Sequence, residues 1–531
     1  MTRSAARRCK YSGGFAALGE EHDMKRTCSN QLSLAIFALS MLFTLAVTAQ
    51  ETAAGPFEPT WESVKQHPSA PEWFRDAKFG IYFHWGVYCV PAFGSEWYPR
   101  NMHIKTNPEY KHHVETYGEP SEFGYHDFVP MFKAEHFDPE AWADLFVKAG
   151  ARFAGPVAEH HDGFSMWASK RTPWNTKDMG PHRDITGELA KAIRERGMRL
   201  VTSFHHARNN QHQIEKHGKL EWTGHYPRVE GWPTVSEDPQ LRILYGNIPR
   251  EEFLEMWKGK LIEVIDNYQP DLIWFDSWFD EIPEAYQLAF LAHYFNRANE
   301  SGKEVVVTCK QQDLPHEVAV EDFEKGRTDE LTDYVWLTDD TISKGSWCYT
   351  ENFFSIKTTA EVLHVLIDIV SKNGQLLLNI SPKADGTIPE NQQDVLLGIG
   401  EWLDQFGEAI YETRPFVVFG EGPTRLRAGG HFVKMKGGYK PEDIRYTRKG
   451  DVVYAMLLGW PGGGKSIRMK AFAQDGAAKN VQVTGVSLLG TDAPITWRQT
   501  SLGLTVKCPE TKVNDLAVVL KLETSGLPPA K

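Results

Sequence analysis

Five short apolar stretches of this chain each run into a side chain that could do chemistry. Phe79-Gly-Ile-Tyr-Phe83 leads to His84, and Arg152–Ala158 leads through Glu159 to His160-His161-Asp162. Arg199–Phe204 leads to His205-His206, Leu272–Phe275 to Asp276, and Val305–Cys309 to Lys310. Asp276 is the sharpest of these residues. A carboxylate ending a strand that should be buried is costly to desolvate unless it is partnered or functional. As a structural residue it would cap the next helix or pair with Lys or Arg; as a functional one it would be a nucleophile or a general base. Trp274, two residues earlier, would share its face on a strand, so an indole can pack beside the carboxylate. The histidines admit two chemistries. With aspartate they could hold a divalent metal for hydrolysis. As neutral imidazoles they could hydrogen-bond the hydroxyls of a sugar that stacks on tryptophan, and the chain has 17 tryptophans.

Functional groups at the ends of successive buried strands require a scaffold that gathers those ends. An α/β barrel does so, with its active site at the C-terminal face of the strands. Helix signals separate the strands. Asp138-Pro139-Glu140 is an N-cap, N1 proline and acidic first turn, and Gly150 ends that helix. Further helices are expected at about Thr186–Arg196, Arg250–Tyr268 and Glu284–Asn299, from the capping box Thr358/Glu361 to Val370, and from Pro389 to about Phe406. Fewer than eight clean β/α units can be counted. The expected fold is therefore a (β/α)8-like, TIM-type barrel with irregularities, spanning residues 50–415. After about Pro415 the texture becomes short, β-branched and alternating: Phe416–Phe419, His431–Lys436, Val452–Leu458, Ser466–Lys470, Val481–Leu489, Leu502–Val506 and Leu516–Leu522. This reads as a C-terminal antiparallel β-sandwich over residues 416–531.

The first 49 residues read as a leader. From Met24, the expected start, Lys25-Arg26 precede an apolar run Leu32–Val47 and the small-residue site Val47-Thr48-Ala49, the pattern of a secretory signal peptide. The run is short for a transmembrane span. Export to a periplasmic or extracellular location is expected, with no membrane attachment after cleavage. The net charge is −12, and removing the basic leader makes it more negative. That disfavours nucleic acid and polyanions in general while leaving room for a local basic pocket. Cys89, Cys309, Cys348 and Cys508 form no CxxC pair, so a zinc knuckle is not expected. Buried free thiols suit a chain of this size better than staples.

The wording of the motifs decides between the two chemistries. Lys78-Phe-Gly-Ile-Tyr-Phe-His84-Trp85-Gly86 with Ser95-Glu96-Trp97-Tyr98 resembles the opening of family 29 glycoside hydrolases, the α-L-fucosidases. Glu159-His160-His161-Asp162-Gly163-Phe164, Arg183-Asp184-Ile-Thr-Gly-Glu188-Leu189 and Asp271-Leu-Ile-Trp274-Phe-Asp276 resemble its next blocks, in order. Asn373-Gly374 through Asn379-Ile-Ser-Pro382-Lys-Ala-Asp385-Gly386-Thr-Ile-Pro389 and Gly400-Glu401-Trp402-Leu403 resemble its closing blocks, so the resemblance covers about residues 60–415. It implies a retaining exo-α-L-fucosidase that acts on oligosaccharide or glycoconjugate substrates without metal or cofactor. By the same resemblance Asp276 is the nucleophile, and His84, Glu96, Trp97, His160, His161 and Trp274 line the sugar pocket. Lys310 is a basic pocket residue, and His205 stands where relatives carry a tyrosine. The resemblance is weaker for the acid/base: Glu317, Glu321 and Glu324 all follow Asp276 at suitable distances, and Glu324, in Asp322-Phe-Glu-Lys-Gly326, is the expected one, with Glu321 second. Leu337 and Cys348 replace the family's usual Glu/Gln and Gly, which leaves open a related sugar, or a binding protein with a degenerate acid/base.

Overall fold

The computed structural model describes residues 55–352, 355–426, 428–433 and 437–529. The expected leader and signal peptide lie outside the described residues. Eight strands form the barrel: β1 (Phe79–Phe83), β2 (Phe153–Glu159), β3 (Arg199–Phe204), β6 (Leu272–Phe275), β7 (Val306–Lys310), β8 (Val320–Asp322), β9 (Trp336–Thr341) and β10 (Gly374–Ile380). All pair in parallel, in the closed order β1-β10-β9-β8-β7-β6-β3-β2. A hairpin of β4 (His212–Lys216) and β5 (Lys219–Thr223) is inserted after β3.

The sequence alternation has a simple consequence. Tyr82, Phe153, Val157, Val201, Leu272, Trp274, Val306, Val320, Leu337 and Leu377 fill the barrel interior as one cluster. Their neighbours Ile81, Phe83, Leu200, Ile273, Phe275, Val307, Leu376 and Leu378 face outward into the layer beneath the helices. Gly155 on β2 allows the closest strand approach, since a Cβ there would stand 1.8 Å from the Val201 carbonyl oxygen.

The helices fall where their caps predict: Pro139–Lys148, Ile185–Glu195, Arg250–Tyr268, Glu284–Glu300, Thr359–Ser371 and Glu390–Phe406. The Asp138 carboxylate accepts from the Glu140 and Ala141 amides, and Thr358 with Glu361 forms the expected box. The irregularity lies on either side of β8. Residues 311–319 and 323–335, all described, contain no helix. That is why β8 and β9 carry no β/α punctuation in the sequence.

Beyond the barrel lie β11 (Arg414–Glu421), β12 (Ile444–Lys449), β13 (Val452–Leu457), β14 (Ser466–Met469), β15 (Gln482–Leu488), β16 (Thr496–Thr500), β17 (Gly503–Lys507) and β18 (Val518–Ser525). They form antiparallel sheets of order β11-β12-β13-β18-β15 and β14-β17-β16. Val453, Ala455, Leu457, Val518, Leu520 and Leu522 meet Met469, Leu504 and Val506 between the sheets. The alternate residues Tyr454, Met456 and Val519 join the core around the barrel helices. One expected strand is corrected. His431–Val433 is turn and irregular chain, and residues 434–436 lie outside the described residues. The Phe432 and Val433 amides donate to the carbonyls of Glu324 and Lys325, so this backbone is tied to the barrel rather than to a sheet. Among the described residues no helix is long and apolar enough to cross a membrane. Cys89, Cys309, Cys348 and Cys508 are buried free thiols.

Candidate active site

The parity that fills the barrel also builds the site. Continuing each interior row toward the C-terminal ends of the strands gives Tyr82 then His84, Ser203 then His205, Trp274 then Asp276, and Thr308 then Lys310. The same step on the neighbouring strands gives Val320, Asp322 and Glu324, then Leu337 and Asp339, then Leu377 and Asn379. On β2 the register slips between Val157 and Glu159, and His160 and His161 follow on the loop. There Gly163, at φ +80°, makes a turn that a side chain would block against the Leu244 carbonyl. His84, Glu96, Trp97, His160, His161, His205, Trp274, Asp276, Lys310 and Glu324 all line one cavity of about 270 Å³.

Lys310 is the hub. Its ammonium is 2.9 Å from Asp276 Oδ1, 2.9 Å from Glu324 Oε2 and 3.6 Å from Asp339 Oδ2, and lies over the Trp274 ring. The Asp276 and Glu324 oxygens thus stand no farther apart than twice 2.9 Å. The other Asp276 oxygen is 3.2 Å from His161 Nε2 and 3.2 Å from His205 Nδ1. Burial acts to raise the Asp276 carboxyl, but the Lys310 charge and the His161 and His205 contacts outweigh it and hold the group well below the usual range. Glu324 behaves oppositely. Burial pushes it up, Lys310 pulls back, and the Asp339 and Asp276 charges help leave it at about 7. The two carboxyls of one site are thereby split into an anion and a group that still holds its proton near neutrality. Behind them, Asp322 is raised well above its ordinary value by burial and then by Asp339. Asp339 accepts from the Tyr82 hydroxyl at 3.0 Å.

The opposite wall is imidazole and indole. Asn379 Oδ1 accepts from the His84 amide and lies 2.8 Å from His84 Nδ1. His161 Nδ1 donates to the His205 carbonyl at 2.6 Å, turning Nε2 toward Asp276. Burial, then neighbouring imidazoles, hold His84 and His160 well below the ordinary histidine value; burial lowers His205 to about 4. These three rings are therefore neutral. His160 Nδ1 and His205 Nε2 have no hydrogen-bond partner among the described residues. Glu96 accepts from Ser346 Oγ and the Trp347 amide, both at 3.1 Å. Arg208 lies over the rings of Trp97 and Trp278, bracing two walls.

Of the three candidate glutamates, Glu324 lines the cavity. Glu317 is exposed beside Lys65, and Glu321 points off β8 toward His316. Glu159 is held by Lys260 and Ser165, Asp162 by Tyr125, and His206 stacks on Trp257; none of them lines the cavity. Sequence reasoning missed Asp339, Trp278, Trp347 and Phe432, which also line it. Strand parity would have found Asp339 had β9 been recognised. No local signal marks Phe432, which arrives from beyond β11. By donor type, His84, His160 and His205, or His161, His205 and Asp276, could take a metal ion. Lys310 already brings a buried positive charge to Asp276.

Comparison with known proteins identifies the family. A sequence-family model described as alpha-L-fucosidase matches residues 44–408, and one for the alpha-L-fucosidase C-terminal domain matches residues 440–523. Rat tissue alpha-L-fucosidase is 32% identical over 483 residues, covering 88% of this chain and 93% of its own. The human tissue enzyme is 34% identical, covering 80% and 84%. The crystal structure of Thermotoga maritima alpha-fucosidase in complex with fucose superposes with a TM-score of 0.68 at 30% identity, covering 88% of this chain and 100% of that one. A closed parallel barrel with antiparallel C-terminal sheets, carrying these motifs in this order, makes the chain a member of the α-L-fucosidase family of glycoside hydrolases.

Proposed function

We propose that the protein is an exported, retaining exo-α-L-fucosidase. Asp276 attacks the anomeric carbon of a terminal α-L-fucoside as the bond to the leaving oxygen breaks, and Glu324 gives that oxygen its proton. Water then attacks the glycosyl–Asp276 ester, Glu324 takes the water's proton, and Asp276 departs as carboxylate. The neutral imidazoles of His84, His160 and His205 bind sugar hydroxyls, and Trp97 and Trp274 pack against the ring. The observation that carries this reading is the shared ammonium of Lys310. It holds an oxygen of the ionised carboxyl and one of the protonated carboxyl no farther apart than twice 2.9 Å, short of the ~6.5–9.5 Å that inversion needs and close to the roughly 5–5.5 Å of retaining glycosidases. A relative solved in complex with fucose supports the sugar. The presence of Glu324 in the cavity favours turnover over a binding-only role.

The stereochemistry tests the mechanism. Proton NMR of an early time course on an aryl α-L-fucoside should show the α-anomer of fucose before mutarotation. First formation of the β-anomer would make the enzyme inverting. For export, the mature N-terminus of the protein recovered outside the cytoplasm should lie near Ala49. The division at about residue 415 is tested by limited proteolysis.

A further inference from the structure

Beside the acid/base lies a second cavity, of about 820 Å³, that shares Phe432 with the first. We propose that it is the leaving-group subsite and that it selects aglycones bearing an anionic substituent, a sulfate ester or a carboxylate. This rests on the fucosidase reading, since Glu324 must face the departing oxygen for the aglycone to lie there.

Three observations carry it. Phe432 is 57% exposed although its amide and that of Val433 are bound to the Glu324 and Lys325 carbonyls, so its ring offers an apolar face at the junction of the two cavities, where an aglycone ring would sit. Lys325 follows Glu324 directly and lines the second cavity. Its ammonium lies 4.4 Å from the centroid of the Trp347 ring and 3.4 Å from the Gly345 carbonyl oxygen. The other cations lining this cavity have carboxylate partners: Lys344 with Glu361, Lys357 with Asp340, and Arg327 with Asp368. Lys325 has none among the described residues. On a protein of net charge −12, an uncompensated cation one residue from the acid is the local exception. An anion on the aglycone would supply the missing charge-assisted partner.

The test uses three fucosyl disaccharides that differ only in the reducing sugar: neutral, sulfated, or carrying a uronic-acid carboxylate. Wild-type kcat/KM should favour at least one acidic substrate by roughly two- to fivefold, and which of the two leads identifies the anion. The preference should shrink between about 0.02 M and 0.5 M salt. Lys325→Gln should bring the ratio close to one, while Lys325→Arg should keep it. The salt series on the wild type needs no variant and so stands if Lys325→Gln fails to fold. Equal rates on all three substrates in the wild type would overturn the proposal, as would a preference that survives in folded Lys325→Gln. Hydrolysis of an aryl α-L-fucoside is followed in parallel. If it is absent, the fucosidase reading itself fails; if it is present without acid preference, only the subsite does.

Discussion

The backbone amide of Glu324 donates to Nδ1 of His431 at 3.0 Å, a hydrogen bond between the barrel mouth and a residue that follows the first strand of the C-terminal region. The bond needs a ring nitrogen with a free lone pair. Burial, followed by the Lys310 charge, lowers the His431 value and keeps it neutral. With Phe432 and Val433 donating to the carbonyls of Glu324 and Lys325, it clamps the acid's backbone from both sides. His431→Ala should therefore cost roughly 0.5–1.5 kcal/mol of transition-state stabilisation, up to about tenfold in rate. The loss should fall on substrates with poor leaving groups, since those need the proton. Equal losses on activated aryl and natural fucosides would mean that the clamp does not act through Glu324.

Asp276→Gly should lower turnover by on the order of a thousandfold or more while the fold persists. Azide should restore part of the rate on an aryl fucoside, because a small anion can enter the space left by the carboxylate and attack in its place. Near-normal activity in Asp276→Asn, purified away from host enzymes, would end the assignment.

Glu324 works as an acid only while protonated. Its raised value, about 7, sets the basic limb of the pH–rate profile near neutrality. Glu324→Gln should abolish that limb and cleavage of natural fucosides, yet keep measurable first-step rates on nitrophenyl fucosides. Glu321→Gln, outside the cavity, should be far milder. The Asp339 charge contributes to raising Glu324, so Asp339→Asn should move the basic limb to lower pH. Lys310 pulls in the opposite direction, so Lys310→Met should move it higher while weakening catalysis. Shifts of the reverse sign would contradict the charge arrangement around Lys310.

His160 and His161 should separate kinetically. His160 Nδ1 has no hydrogen-bond partner among the described residues, and the imidazoles paired with Asp276 there are His161 and His205. His160→Ala should weaken binding of fucose by roughly 1–3 kcal/mol and leave the acidic limb in place. His161 also lies 3.2 Å from Asp276 and helps hold it ionised. His161→Ala should weaken binding and in addition raise the acidic limb. Identical profiles for the two variants would assign both the same role.

The sequence announced the site better than it announced the barrel. Strands β1, β2, β3, β6 and β7 were legible because each is an apolar run ending in a polar residue, and interior parity carries that residue into the lumen. β8 was illegible for a physical reason. It spans only Val320–Asp322, no helix flanks it, and its interior row turns from Val320 to the acidic Asp322, with Glu324 just beyond the strand. β9 sets two adjacent buried aspartates between threonines, Thr338-Asp-Asp-Thr341, which reads as a loop until Lys310 faces Asp339 and Lys357 pairs with Asp340. The strap at His431–Val433 has a strand-like composition, but its hydrogen-bond partners are more than a hundred residues away, and no local pattern encodes that choice.

Asp368 ties the barrel to the C-terminal sheets and gives a test of stability rather than chemistry. It lies fully buried on the helix Thr359–Ser371, 2.6 Å from Arg445 of β12, 2.9 Å from Lys372 and 3.5 Å from Arg327. Burial acts against its charge, but Lys372, Arg445 and Arg327 overcome that and hold it well below the ordinary carboxylate range. Asp368→Ala leaves three cations without their common partner and should cost about 3–5 kcal/mol. The pH dependence follows in sign. A depressed folded value stabilises the native state above the unfolded carboxylate value, about 3.9, and that stabilisation fades as pH falls toward the folded value. The gap in melting temperature between wild type and Asp368→Asn should therefore be widest near neutrality and begin to narrow below about pH 4. A gap that is constant with pH would mean that the carboxylate's charge is not what joins β12 to the helix.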